Sequence, residues 1–235
     1  MLKNIILCIA GIFFTNSCLA QAQETTRKSR WLTDSVYEAY TVLKTDKNIK
    51  HGPYRALFLK KKPVAEGDYA NNIKTGLWHF YNEKGEQLQT YNYTTKAFEF
   101  LAPADTTTYL HYVVDKKITP ADKVTLPVKL GGTYYGYIPY LRLFDVPNKM
   151  YAMIQANKDY IEVLVELLVS PGGRLADYKI SLNIDRRLLK AFNMNPNLPD
   201  PADVIFTPAT VNGEPVTSRI LIKAYITDDN HLDYE

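Results

Sequence analysis

Between Ile161 and Ile226 the apolar positions keep strand periodicity over long runs. Ile161, Val163, Val165, Leu167 and Val169 are all apolar, while Glu162 and Glu166 fall on the other parity. A period of two is what a strand with one buried face requires, because successive side chains point to opposite sides of the sheet. Ser170-Pro171-Gly172-Gly173 follows with one fixed φ and two residues free to take φ > 0, which is turn chemistry. Past the turn Ala176, Tyr178, Ile180 and Leu182 share one parity, with Asp177 and Lys179 on the other. The pattern predicts a β-hairpin. The period then changes, with Ile184, Leu188 and Phe192 at i, i+4 and i+8, Leu189 beside them and Asn183 or Asp185 placed to cap. That spacing predicts a short helix, stopped by the prolines between Pro196 and Pro201. Asn212-Gly213 marks a tight turn. Behind it Val216, Ser218, Ile220, Ile222, Ala224 and Ile226 alternate with Thr217, Arg219, Leu221, Lys223 and Tyr225. The predicted order is strand, turn, strand, helix, loop, strand.

The N-terminal part is organised by repetition. Asn48-Ile49-Lys50-His51-Gly52-Pro53-Tyr54 returns 24 residues later as Asn72-Ile73-Lys74-Thr75-Gly76-Leu77-Trp78, and Gly67-Asp68-Tyr69 returns as Tyr91-Asn92-Tyr93. A fixed short period signals stacked supersecondary units, each unable to bury its face alone. Each unit reads as a hairpin: a strand after the glycine–aromatic pair, a turn such as Glu83-Lys84-Gly85-Glu86, and a returning strand ending in tyrosine. Tyr37 to Asp46 reads as a degenerate third copy. Further on, Phe98–Leu101 and Thr108–Val114 read as strands, and Asn148–Ala156 as a helix that turns Tyr151 and Ile154 to the sheet. Tyr134, Tyr135, Tyr137 and Tyr140 either pack an amphipathic sheet or form an aromatic surface for peptide or glycan.

Two resemblances rest on these residues. Over residues 31–95 the spacing G-x-(W/Y)-x-x-(F/Y) followed by G-x-Y resembles the MORN-like repeats of exported bacterial proteins, which implies a twisted ribbon of hairpins. Val163, Val165, Leu167, Val169, Gly173 and Leu175, with Phe206-Thr-Pro208-Ala209-Thr-Val-Asn212-Gly213-Glu-Pro215-Val216, resemble the C-terminal domain of TonB-type energy transducers, where tryptophan stands in place of Phe206. Pro127-Val-Lys-Leu-Gly131-Gly132 is similar to the lead-in of such domains. The implied fold class is α+β. A ribbon over 31–95 and a linking β segment over 96–126 would precede a small domain over 127–228, with a three-stranded antiparallel sheet and one or two helices, and a flexible tail over 229–235. The resemblance also implies strand addition, in which a partner's extended segment pairs with an open sheet edge. The implied edge is the last strand, with Thr217, Arg219, Leu221, Lys223 and Tyr225 as partner-binding residues. The implied partner is an envelope or outer-membrane protein or peptide. An energy transducer needs an uncleaved inner-membrane helix and a long Pro-rich spacer, and the chain shows neither, so an adaptor role is expected. The alternative is a structural envelope protein whose repeats bind lipid or wall polymer. Weak membrane association and a homodimer through sheet edges are compatible with either.

Composition narrows the chemistry. Hydrophobic residues make up 46% of the 235 positions, enough for a packed core. A net charge of +3, with no basic run beyond Lys60-Lys61-Lys62, gives no basis for nucleic-acid binding. Met1 to Ala22 combines Lys3, an apolar run from Ile5 to Phe14 and an A-x-A site at Ala20-Gln21-Ala22, the pattern of a secretory signal peptide. The expected location is the periplasm of a Gram-negative bacterium, with lipidation at Cys18 as the rival processing route. Cys8 and Cys18 both lie in that segment, so the mature chain has no disulfide, thiolate metal site or cysteine nucleophile. His51, His79, His111 and His231 are not spaced as metal ligands, and no H-E-x-x-H, G-x-S-x-G, phosphate loop or G-x-G-x-x-G is present. Glu162 and Glu166 stand roughly 13–14 Å apart on one strand face, which does not suit a glycosidase pair. No catalytic residue, cofactor or metal is therefore expected: the reading is a binding protein, not an enzyme.

Overall fold

A computed structural model describes residues 23–103 and 109–235; the expected signal peptide and Cys18 lie outside the described residues. Strands β1 (Thr25–Trp31), β2 (Val36–Leu43), β3 (Lys50–Phe58), β4 (Lys62–Ala70), β5 (Ile73–Tyr81), β6 (Gln87–Asn92) and β7 (Ala97–Leu101) pair in chain order as one seven-stranded antiparallel meander. Consecutive hairpins with short turns give this order without a crossover. The repeated glycines supply left-handed backbone, with φ of 91° at Gly52 and 61° at Gly76. Gly67 serves a different need: a Cβ there would run into the indole of Trp78. The inward face of the sheet carries Val36, Tyr54, Ala56, Ala65, Trp78 and Phe80, all buried.

After β7 the chain passes to a second sheet. β8 (Leu110–Val114), β9 (Val124–Thr125) and β10 (Val128–Lys129) are followed by helices α1 (Ile138–Arg142) and α2 (Tyr151–Asn157). Next come β11 (Ile161–Val169), β12 (Leu175–Ile184), β13 (Arg187–Asn193), β14 (Phe206–Thr207), β15 (Ala209–Val211), β16 (Glu214–Val216), β17 (Ser218–Ile226) and β18 (Leu232–Tyr234). The six-stranded sheet runs β13-β12-β11-β17, and the far side of β17 is shared by β8 and β18. The predicted hairpin is there: Val163 pairs with Leu182 and Val165 with Ile180, and burial alternates along both strands. Asn212 and Gly213 turn with φ of 55° and 84°, joining β15 to β16.

The two sheets close on the segment between Gly131 and Tyr140. Gln89 of β6 accepts the N–H groups of Gly131 and Gly132 at 3.0 Å each and donates to the Lys129 carbonyl at 3.0 Å. Tyr135 shares a 2.8 Å hydroxyl–hydroxyl bond with Tyr54, and the Phe58 ring meets Tyr134 edge-on. Tyr140 donates to the Asp203 carbonyl and Tyr178 to the Tyr140 carbonyl. Buried side chains from both sheets form one continuous hydrophobic cluster. The tyrosine group is thus packing between sheets, each ring burying its body and keeping a partner for its hydroxyl. Among the described residues no helix is long and apolar enough to cross a membrane.

Several expectations are corrected here. The molecule is mostly β, with 53% strand and 12% helix in antiparallel sheets of seven, six, three and two strands, not a ribbon followed by a small three-stranded α+β domain. The helix expected after Asn183 is strand β13. Asp185 and Arg186 take φ of 50° and 63°, a two-residue hairpin turn that folds the chain back on β12, and Leu188 is left 63% exposed. A three-member i, i+4 series in so short a window does not separate helix from strand. The 96–126 segment is divided, since β7 completes the first sheet while β8 joins the second. The tail expected to be solvated is strand β18, with Leu232, Asp233 and Tyr234 buried. Asp233 accepts the Ser35 N–H at 2.8 Å and Tyr234 donates to the Tyr134 carbonyl, so the C-terminus clasps the two sheets together.

Candidate functional site

The strand expected to be an open edge is internal. β17 pairs with β11 on one side from Val163–Ala224 to Val169–Ser218, and with β8 and β18 on the other. Thr217 precedes the strand and accepts the Asp115 N–H at 2.9 Å. Arg219 stands 3.3 Å from Glu166 and 3.5 Å from Asp115, on the outer face. Leu221 lies between Glu166 and His111, and Tyr225 opposite Asp233. The Lys223 N–H donates to the Tyr109 carbonyl at 2.8 Å, and its carbonyl takes the Glu235 N–H. Periodicity correctly assigned the faces of this strand, with Ser218, Ile220, Ile222, Ala224 and Ile226 inward. Its neighbours come from more than a hundred residues upstream and from the chain end, which alternation within one strand does not encode.

Among the described residues the two large sheets end at five strands that have a neighbour on one side only: β1 and β7 in the first sheet, and β13, β8 and β18 in the second. Natural edges are guarded by charge, proline, bulges or cover, because a bare row of N–H and C=O groups templates pairing. β1 carries Arg27, Lys28 and Arg30, and β13 carries Arg187 and Lys190. β7 reads Ala97-Phe98-Glu99-Phe100-Leu101, and all five residues are exposed. Phe98, Phe100 and Leu101 remain 36%, 44% and 47% accessible. It has one charge, Glu99, at a bulge against β6, and of these five strands it alone has every residue exposed.

A second feature is a cleft of about 400 Å³ between the first sheet and the Gly131–Leu143 and Pro199–Asp203 segments. Its floor comes from the repeat: Lys50, Tyr54 and Tyr69 from one copy, Lys74 and Tyr93 from the next. The Glu38 carboxylate is buried here, 2.6 Å from Arg30 and 3.6 Å from Lys50. Burial lowers the pKa of Lys50, with Glu38 opposing, and burial likewise lowers that of Lys74. Tyr54 and Tyr135 are pushed well up by burial, so both stay neutral hydroxyls. Behind the cleft Lys129 is buried, donating to the carbonyls of Ala202 at 3.1 Å and Asp203 at 2.9 Å, with the Asp203 carboxylate at 3.7 Å. Burial brings its pKa down to about 8, and Asp203 holds it from falling further. Lys129 is a structural cation that ties β10 to the Pro201–Val204 turn.

The histidines are scattered: His79 contacts Thr90, His51 contacts Asn71, and His231 lies 2.7 Å from Asp145. Among the described residues no group of three or more His, Cys, Asp and Glu is gathered to hold a metal ion. Sequence reasoning missed the β7 edge and the cleft. A signal existed for each: the low charge of Ala97–Leu101, and the repeated placement of a lysine ahead of two aromatic residues. Comparison with protein-family models, curated proteins and solved structures finds no match to this chain.

Proposed function

We propose that the chain is a protein-binding module of the cell envelope that pairs with an extended segment of another envelope protein by strand addition, and that β7 is the receiving edge. The observation that carries this reading is the contrast among edges, with β7 free on its outer side among the described residues, exposed throughout and apolar at every position but Glu99. Strand addition draws affinity from main-chain hydrogen bonds and selectivity from alternate side chains. Five residues of edge, roughly 17 Å, suit a short extended peptide. Phe98 and Leu101 stand opposite Tyr91 and Gln89 and Phe100 opposite Thr90, with Glu99 at the bulge between, so apolar side chains are offered on both faces. The leader-like N-terminus and the TonB-like motif support an envelope setting and a peptide partner, while the internal position of β17 moves the pairing edge away from that motif.

The test is site-specific photo-crosslinking in the native cell, with the photoreactive residue at Glu99 on β7 or at Lys28 on the charged edge β1. Adducts with another envelope protein at Glu99 and none at Lys28 are the expected result. Equal labelling at both positions, no adduct at Glu99, or adducts only between copies of this chain would overturn it.

A further inference from the structure

The two copies of the repeat place the same side chains over the same cleft, and they differ at one position that matters electrostatically. The Lys50 ammonium lies 5.1 Å from the ring centres of both Tyr54 and Tyr69, and the Lys74 ammonium lies 5.1 Å from Trp78 and 5.5 Å from Tyr93. In each copy the rings follow the lysine by 4 and 19 residues (54 − 50 and 78 − 74; 69 − 50 and 93 − 74). The first copy holds a counter-ion, the buried Glu38 carboxylate. Glu38 stands opposite Ala56 in the β2–β3 pairing. The equivalent of Ala56 is Phe80 (80 − 56 = 24), and opposite Phe80 in the β4–β5 pairing stands Ala65. The second copy therefore has a methyl group where the first has a carboxylate. Lys74 makes no ion pair and no side-chain hydrogen bond among the described residues.

Asp203 and Asp200 favour the charged form of Lys74 through space, but neither stands within ion-pair distance of it. Asp200 accepts the Ala202 N–H at 2.9 Å and Asp203 is engaged by Lys129, so both carboxylates already have partners. Arg142 lines the cleft and, like Lys74, makes no ion pair among the described residues. Four cationic residues line the cleft against three carboxylates, and Lys129 adds a fifth cation behind them. Tyr69 and Tyr93 line it as well, with hydroxyls that make no hydrogen bond among the described residues. The volume of about 400 Å³ is that of a small-molecule site.

We propose that this cleft binds a small ligand bearing a carboxylate or phosphate group, and that the group takes over Lys74 the place the Glu38 carboxylate takes over Lys50. A charge-assisted bond from the ammonium, with aromatic rings beneath it and Arg142 on the wall, fixes the acidic end; the tyrosine faces receive the remainder of the molecule. This site is separate from the β7 edge and does not depend on it.

The experiment is calorimetric titration of the full protein with inorganic phosphate and with benzoate, using benzyl alcohol as the uncharged control. At least one anion binds and benzyl alcohol does not; the stronger of the two shows whether a phosphate or a carboxylate is the natural group. Lys74→Gln weakens anion binding by roughly tenfold or more, the loss expected for a charged hydrogen bond, while Lys117→Gln on the surface leaves it unchanged. A second readout needs no variant of the site: with lysine labelled with carbon-13, the anion shifts the Lys74 side-chain resonance and not that of Lys50. The proposal is overturned if neither anion binds, if benzyl alcohol binds as well as benzoate, or if binding is indifferent to Lys74→Gln and moves no Lys74 resonance.

Discussion

The two copies of the 24-residue motif show how one local design serves two ends. In both, a lysine at the head of a strand lies over the two aromatic rings of its own repeat, with Tyr40 as a third ring beneath Lys50, and faces the space between the sheets. In the first copy the buried Glu38 carboxylate neutralises the lysine and also binds the half-exposed Arg30, making a charge cluster whose role is structural. In the second, Ala65 replaces that carboxylate, and the lysine keeps its rings but not its counter-ion. Repetition secures the shape of the cleft; the departure at Ala65 leaves Lys74 without an ion-pair partner.

That contrast can be broken or sharpened by substitution. The largest effect expected is from Trp78→Ala, which empties a fully buried site stacked on Tyr54 and Phe80 and removes a bond to the Asp68 carbonyl. A loss of about 3–5 kcal/mol in urea unfolding is expected, and a loss under about 1 kcal/mol would show that the second copy does not anchor the sheet. Glu38→Gln should follow at about 2–3 kcal/mol, because it leaves the largely buried Lys50 facing a neutral group, while the half-exposed Arg30 can turn to solvent. Lys74→Gln should cost less than about 1 kcal/mol, the size of its ring contacts alone. Equal costs for Glu38→Gln and Lys74→Gln in the same unfolding series would erase the distinction between the copies.

A smaller effect is expected in the pH profile. Lys129 releases its proton near pH 8 in the folded protein, whereas an unfolded lysine keeps it to about pH 10.4. Between those values the unfolded chain binds more protons, so this residue makes stability rise with pH; the penalty is fully present below the folded value and relieved above it. Above about pH 10 the buried tyrosines reverse the trend, since unfolded phenols ionise there while Tyr54 and Tyr135 remain protonated. Unfolding midpoints across this range should climb and then fall, and Lys129→Met should flatten the climb. The least stability change is expected from Phe100→Lys on the exposed β7 edge, within about 0.5 kcal/mol. The same change should abolish crosslinking from Glu99, and unaltered crosslinking would remove β7 as the pairing edge.

Much of the strand content was legible in the chain. Alternation located β11, β12 and β17 and assigned their inward faces, and Asn212-Gly213 announced its turn. The repeat announced successive hairpins. Misreadings occurred where a short segment satisfied two periods, as in Ile184–Phe192, or where partners lie far apart in sequence, as for β17 between β8 and β18. The acidic tail looked solvated because its charges dominate its composition, yet Asp233 is buried against the Ser35 N–H.

By itself, then, the sequence determined which residues form strands, which side of each strand turns inward, where the glycine turns fall, and that a lysine–aromatic unit occurs twice. These follow from interactions within a few residues or within one period of the repeat. The tertiary structure alone decided that β17 is internal, that β7 is left open among the described residues, and that Glu38 faces Lys50 while Ala65 stands in the matching place near Lys74. Those facts depend on inter-strand register, which places position 65, three residues beyond the repeat equivalent of position 38, opposite Phe80. Counting along the chain does not reveal such a shift; backbone pairing does.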